Sequence, residues 1–404
     1  MRIAICGTRG IPACYGGFET FAEELSIRLV KRGHEVRVYG RKHVIDYDEP
    51  TYQGVEICLL PAPRHKYFET PVHSLISFFH LLFHRVDVVL VCNAANSPFV
   101  WLLRLAGLPV AVNVDGIERR RAKWNFVGRL WYWLGERCSV WFATRIVADA
   151  DVIAEYYREQ YGADSSVIRY GYSLTAEAAA QSKADGDGKH LDFLNENPLF
   201  SELGIRVDSY ILFVSRLEPE NNAHVVIDAF NGLPEELRRR CPLLVVGDAP
   251  YAREYIDSLH QMACDEVVFA GYRFREAYIA LQLGAAIYVQ ATEVGGTHPA
   301  LVEAMGFANC IVVNGTPENT EVIGDAGHVY SKNDSQMLRR TFSRLLSDVD
   351  SIGASRRAAR TRAKQLFSWD NITSDYERLF ESLRCSSRGV PAAHSDQATD
   401  TAQR

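Results

Sequence analysis

No stretch of the 404-residue chain reaches the roughly 18 apolar residues that a membrane-spanning helix needs. The richest candidates, Ser74–Val91 and Val127–Val147, are each interrupted by His, Arg or Glu. There is no C-x-x-C pair either. Nine scattered cysteines, an odd number without regular spacing, predict reduced thiols and no zinc site. A basic excess is also missing: the net charge is −6 and no half of the chain is strongly basic, which argues against a nucleic-acid partner. Met1-Arg2-Ile3 enters a strand at once, without a signal-peptide pattern, so the expectation is a cytoplasmic protein. What remains is ordinary for a soluble enzyme, with 47% apolar and 23% charged residues. The length exceeds what one core usually serves, so two domains are expected.

Arg2–Cys6 reads as a short buried strand, followed by a glycine-rich turn, GTRGIPACYGG, over Gly7–Gly17. Phe18, Phe21, Ala22, Leu25 and Leu29 then recur at helical spacing, and Gly33 ends that helix. Strands continue to alternate with helices as far as Arg169, which predicts an α/β fold with a doubly wound, Rossmann-like parallel sheet over residues 1–172. Residues 173–207, rich in Ala, Ser, Asp, Gly and Asn, read as a flexible link with at most a short helix. The alternation restarts at Ser209, giving a second Rossmann-like domain over 208–366. A closing helix is expected over 367–384, and the tail 385–404 lacks apolar periodicity and reads as disordered. Ligands of such sheets lie beyond the carboxyl ends of the strands, and two facing domains would make a cleft from two such edges.

The most informative stretch is EVGGTHPALVE, Glu293 to Glu303. It follows an apolar run that reads as a buried strand. Gly295 and Gly296 make a turn with bare backbone N–H groups, and Pro299 suits the first turn of a helix. A strand, a glycine turn and a helix start form an anion site, usually for phosphate. Glu303, one turn further in, would repel phosphate but accept hydrogen bonds from a ribose diol. Together these suggest a nucleoside diphosphate; a glycine turn beside a solvated glutamate is the plainer reading. Thr297 and His298 lie within the same turn, with a helix-cap role the alternative for His298. Tyr272, beyond the strand Glu266–Ala270, is grouped with the donor-binding candidates. Arg216, just after the first strand of the second domain, has the fork geometry to bind two phosphate oxygens. Pairing with Glu218 or Glu220 at the surface is its alternative. Asp115 ends an apolar strand, where it would take a proton from an incoming hydroxyl or hold a sugar, if it is not simply a loop cap. Glu118, Arg119 and Lys123 follow as candidate acceptor contacts.

At this point the sequence resembles the retaining glycosyltransferases of family 4, which have the GT-B fold. The resemblance rests on Arg216, the glycine turn, and Glu303 before Ala-Met. It rests also on YGGFETFAEEL, similar to that family's Gly-Gly loop at Gly16 and Gly17, and on the closing FSWDNITSDYERLFESL. It spans about Met1 to Leu383. GTRGIP…YGGFET, VDGIERRRAKW, RLEPENN and VGGTHPALVEAM are similar to a narrower branch of bacterial polysaccharide rhamnosyltransferases. The resemblance implies a dTDP-L-rhamnose donor, a glycan or lipid-linked glycan acceptor, retention at the anomeric carbon, and no metal or other cofactor. Two departures from the wider family stand out. Asn221 occupies the position of its usual second phosphate-binding Lys, and Gly295 that of a usual Glu, with Glu293 displaced by two residues. Both are read as donor specificity, with Asn221 and Asn222 as neutral donors.

Five of the six tryptophans (Trp101, Trp124, Trp131, Trp133, Trp141) cluster together with Arg119, Arg120, Arg121, Lys123 and Arg129. Indoles mixed with cations suit a peripheral membrane surface, here the inner face of the plasma membrane. Core packing is the alternative, and it predicts little exposed Trp. Asp149-Ala150-Asp151 mimics a D-x-D metal motif but is read as capping the helix that follows. An epimerase or NADP-dependent reductase remains open, with Arg41 as the ligand for a 2′-phosphate, as does an inactive glycan-binding scaffold.

Overall fold

The computed structural model describes residues 1–13, 16–65, 67–121, 124–172 and 176–387. Strands β1 (Arg2–Cys6), β2 (Glu35–Arg41), β3 (Thr51–Tyr52), β4 (Val55–Leu60), β5 (Val88–Cys92), β6 (Val110–Asn113), β7 (Arg145–Ala148) and β8 (Ser165–Val167) form one sheet in the order β3-β4-β2-β1-β5-β6-β7-β8. Here β1 runs parallel to both β2 and β5, with Ile3 in register with Val36 and Val88. β3 is a short antiparallel edge strand. Strands β9 (Ile211–Val214), β10 (Leu243–Val246), β11 (Val267–Gly271), β12 (Ile287–Gln290), β13 (Cys310–Asn314) and β14 (His328–Tyr330) form a wholly parallel second sheet, order β11-β10-β9-β12-β13-β14. The doubly wound α/β architecture read from the alternation is therefore present twice. Strands such as Val-Val-Leu-Val-Cys and Leu-Leu-Val-Val are buried along their whole length, as parallel strands covered on both faces must be.

By contact density the chain divides into two compact units. The first holds Met1–Asn113, Leu134–Ile146 and the chain from Thr373, and the second holds Val114–Trp133 and Val147–Ile372. In the first unit, Phe21, Ala22, Leu25 and Leu29 are the buried face of the helix Gly17–Lys31, as their spacing predicts. In the second, the residues read as a flexible link carry three helices, Glu177–Asp185, Lys189–Leu194 and Pro198–Glu202. Ala180, Leu194, Leu199 and Phe200 join a core with Tyr210, Leu283 and Met305. The difference has a physical cause: the alanine run is a strong helix former. The Asp-Gly-Asp-Gly tract only turns the chain between helices, with Gly186 and Gly188 at φ 73° and 79°.

The closing helix spans Trp369–Ser387. Within the second unit Trp369 packs edge-on to Tyr170 and against Gly171, where a β-carbon would lie 2.7 Å from Trp369 Cε2. Within the first, Tyr376 receives a hydrogen bond from Asn113 (2.8 Å), and Glu377 meets Arg32 and His34. The tail expected to be disordered lies, from residue 388 onward, outside the described residues. Among the described residues no helix is long and apolar enough to cross a membrane.

Candidate active site

The second sheet delivers its central strand, β12, to the glycine turn, and amide side chains fix the backbone where the strand ends. Ala291 O accepts from Asn222 Nδ2 (3.0 Å) and Asn314 Nδ2 (2.9 Å). Thr292 O accepts from Asn319 Nδ2 (3.0 Å). Glu293 N donates to Glu220 O (3.1 Å). The turn then leads into the helix Pro299–Gly306, with His298 at its N-cap and Pro299 in its first turn. Gly295, at φ 152°, has the His298 ring so close that a β-carbon would lie 2.6 Å from its Cε1.

Two other strand ends meet this turn inside the second unit. Gly116, just beyond β6, approaches so closely that a β-carbon there would lie 2.5 Å from Gly295 C. Asp115 is thereby brought beside the glycine turn, in the left-handed region at φ 57°. From the end of β7, buried Asp149 accepts Thr297 N on Oδ2 (2.7 Å), and Thr297 Oγ1 donates to Asp149 O (3.0 Å). Burial, and next the neighbouring Asp115 carboxylate, push the Asp149 carboxyl up to about 8. The capping role read for the D-A-D sequence is thus filled differently. Ala150 is the N-cap of the helix Asp151–Tyr161, and Glu321 accepts Asp151 N (2.7 Å) and Val152 N (2.9 Å). Asp149 faces the turn because Glu321 already satisfies that helix start.

Arg216 leaves the end of β9 with Nη2 3.5 Å from Glu218 Oε2, and its carbonyl accepts Asn221 Nδ2 (2.7 Å). Burial, then the positive fields of Arg121 and Arg216, push the His298 imidazole down to about 3. His298 makes no capping hydrogen bond with its side chain. Arg121 is held by Glu118 (2.8 Å) and stands 3.5 Å from Glu220. Glu303 sits on the same helix as His298, and Tyr278 donates to its Oε2 at 2.7 Å. Arg216, His298, Glu303, Gly295, Gly296, Thr297 and Asp115 therefore belong to one neighbourhood of one unit, or to the helix leading from it.

Other candidates have partners of their own. Asn222 has Ala291 O and Asn333 Oδ1 as acceptors for its amide. Tyr272 donates to Asp248 O (3.0 Å) and stacks on Phe274. Glu293 accepts from Asn333 (2.7 Å) and lies near Lys332. Arg119 donates to Tyr156 (2.5 Å), and Lys123 lies outside the described residues. In the first unit Gly16, at φ 105°, is the N-cap before Gly17, where the first helix begins. Arg41 is buried against Glu69 (3.0 Å) and Thr70 (3.1 Å), which removes the cation the reductase reading needs. Among the described residues no group of three or more His, Cys, Asp or Glu side chains is placed to hold a metal ion. Sequence reasoning missed Asp149 and Tyr278. Asp149 ends an apolar strand just as Asp115 does, and that signal alone could have found it; nothing local marks Tyr278.

Two family models divide the chain between them. Residues 16–171 match the glycosyl transferase 4-like domain, and residues 199–366 match glycosyl transferases group 1. The chain belongs to the glycosyltransferases of GT-B fold. Among its relatives, O-antigen chain mannosyltransferase B of Escherichia coli is 26% identical over 46% of this chain, which spans about half (49%) of that protein. O-antigen chain mannosyltransferase C of Escherichia coli is 25% identical over 92% of this chain and 96% of its own length. Anabaena HepE, solved in complex with UDP-glucose, shares the fold at TM-score 0.71 and 15% identity, over 95% of this chain and 100% of that one.

Proposed function

We propose that the protein is a retaining glycosyltransferase that moves L-rhamnose from dTDP-L-rhamnose to a glycan or lipid-linked glycan in bacterial surface-polysaccharide synthesis. The observation that carries the transferase reading is the gathering of Arg216, the glycine turn and Glu303 around one helix start. Arg216 and the backbone N–H groups of Gly16, Gly17, Gly295 and Gly296 stabilise the diphosphate as the glycosidic bond breaks. Fixed dipoles aimed at developing charge are commonly the largest catalytic term. Glu303 holds the sugar of the nucleoside. Asp115 holds the acceptor hydroxyl, and the departing phosphate takes its proton on the face the acceptor attacks. The step is drawn without a metal ion, with Arg216 and the turn supplying the positive potential.

Rhamnose is supported by the narrower sequence resemblance. A second reading, mannose transfer, is favoured by the two mannosyltransferase relatives. The test offers dTDP-L-rhamnose, GDP-mannose and UDP-glucose without acceptor and follows nucleoside diphosphate release. Slow release from the rhamnose donor alone supports the proposal, and release from GDP-mannose alone replaces it. No release from any donor, with or without a glycan acceptor, would return the protein to the scaffold reading.

A cytoplasmic-face membrane contact belongs to the same proposal. The helix Glu69–Leu81 and the residues after it expose Leu75, Phe79, Leu82 and Phe83, the last at 74%. Trp101 and Trp141 are 40% and 60% exposed, more than the core-packing alternative predicts. Residues 70–114 contain one carboxylate, Asp87, paired with Arg2. Cosedimentation with anionic but not zwitterionic vesicles is the expected result; equal or absent binding to both removes this part.

A further inference from the structure

Behind Glu303 runs a hydrogen-bonded chain that no local sequence pattern announces. Tyr278 Oη donates to Glu303 Oε2 (2.7 Å), and Gln282 Nε2, one turn along the helix Arg275–Gly284, donates to Tyr278 Oη (2.9 Å). Gln282 Oε1 accepts from Asn309 Nδ2 (3.0 Å), and Asn309 Oδ1 accepts from Lys183 Nζ (2.6 Å). Lys183, Gln282 and Asn309 are all buried, Lys183 to 1% exposure. Lys183 also donates to Gln282 O (3.1 Å), while Asn309 Nδ2 reaches Ala304 O (3.2 Å) on the helix that carries Glu303. We propose that Tyr278, Gln282, Asn309 and Lys183 are positioning residues that orient Glu303 toward the nucleoside sugar of the donor. This rests on the reading of Glu303 as the nucleoside-sugar ligand.

The chemistry of the two ends gives the chain a single polarity. A carboxylate only accepts, so the Tyr278 proton points to Glu303 and its oxygen must accept from Gln282. Lysine donates at the far end, so Asn309 turns its carbonyl to Lys183 and its amide to Gln282. Every donor therefore faces Glu303, and bonds aligned in this sense polarise one another. Burying a lysine is unfavourable, and burial drives the Lys183 pKa well below the usual lysine range. A methionine would fill the same volume without that penalty. The lysine makes sense where a carboxylate must be held in one rotamer at the other end.

The test titrates UDP and dTDP, as probes, into the full-length protein and its Tyr278→Phe, Lys183→Met and Glu303→Ala variants, with donor kinetics alongside. Losing one such hydrogen bond predicts Tyr278→Phe binding about three- to tenfold weaker, with donor KM raised and kcat within about twofold. Lys183→Met should act in the same direction and more weakly. Tyr278→Phe should add nothing in a Glu303→Ala background, because the two residues work as one. Should Lys183→Met fail to fold, the Tyr278 pair still decides. Wild-type affinity in Tyr278→Phe with weakened Glu303→Ala overturns the relay and leaves the nucleoside reading intact. Wild-type affinity in both overturns the nucleoside reading as well. A fall in kcat and melting temperature with KM unchanged would mark a merely structural tyrosine and also overturn the relay.

Discussion

The two glycine loops are held by different mixtures of near and distant contacts. In the first unit, the start of the glycine loop is held from afar, Asn96 Nδ2 donating to Gly7 O (3.3 Å) and Arg41 N to Arg9 O (2.8 Å), while the helix Gly17–Lys31 adds local ties of its own. Glu19 accepts Arg9 N (2.8 Å) and Glu23 accepts Ala13 N (2.5 Å), each bond closing a separation of 10 residues. In the second unit, the Glu293–Thr297 turn and the strand end before it are held from elsewhere in the chain. Asn314, Asn319, Asn222 and Asp149 reach it across separations of 23, 27, 69 and 148 residues. A local tether opens at small expense, whereas contacts this distant are lost only when much of the domain opens. The second turn is therefore held more firmly than the stretch of the first loop that leads into Gly16.

Arg216 carries the largest expected effect. If Arg216 and the second turn carry the leaving-group charge, Arg216→Ala should lower kcat by about 10²–10³, comparable with losing one fixed oxyanion donor. Turnover near wild type would remove its phosphate role.

Asp149 offers the next largest effect. Asp149→Ala leaves Thr297 N–H buried without its acceptor, a loss of about 1–3 kcal/mol in denaturant unfolding, whereas Asp149→Asn keeps an acceptor oxygen. The pH dependence follows from the raised pKa. Between the ordinary carboxylate value of 3.8 and about 8, the folded carboxyl retains a proton that the unfolded one releases. The native state thus binds more protons across this window, so this group's contribution to stability declines as pH rises through it. Melting curves taken from pH 4 to 8 should fall more steeply for wild type than for Asp149→Asn. Parallel curves would contradict the assignment.

The smallest effect belongs to the first loop. Gly16→Ala puts a side chain at φ 105°, close against Glu19, and should cost about 1–2 kcal/mol locally. It should raise donor KM modestly without approaching the Arg216 loss. An effect as large as that of Arg216→Ala would make the first loop equally firmly held and dissolve the contrast.

What was legible in the sequence follows the same division between near and far. Period and punctuation are local, so both parallel sheets, the glycine turn, Pro299 in the first turn and the closing helix could be read directly. The donor candidates Arg216 and Glu303 were legible because each sits at a fixed offset from a strand end or helix start. The buried partners were not. Lys183 lies in a tract that composition alone describes as a linker, yet its ammonium reaches Asn309, 126 residues away. Asp149 reads locally as a helix cap, whereas the group that receives the helix's first N–H, Glu321, lies 170 residues beyond Asp151. Tyr278 reads as one more apolar position on an amphipathic helix. Such pairings are decided by tertiary contact, which a single chain does not spell out.

Hydrogen exchange with and without saturating dTDP or UDP tests the central claim most directly, because it reports which backbone amides a nucleotide covers. The account predicts slowed exchange concentrated at 215–222 and 294–303. Binding of either nucleotide with both segments unchanged would contradict it.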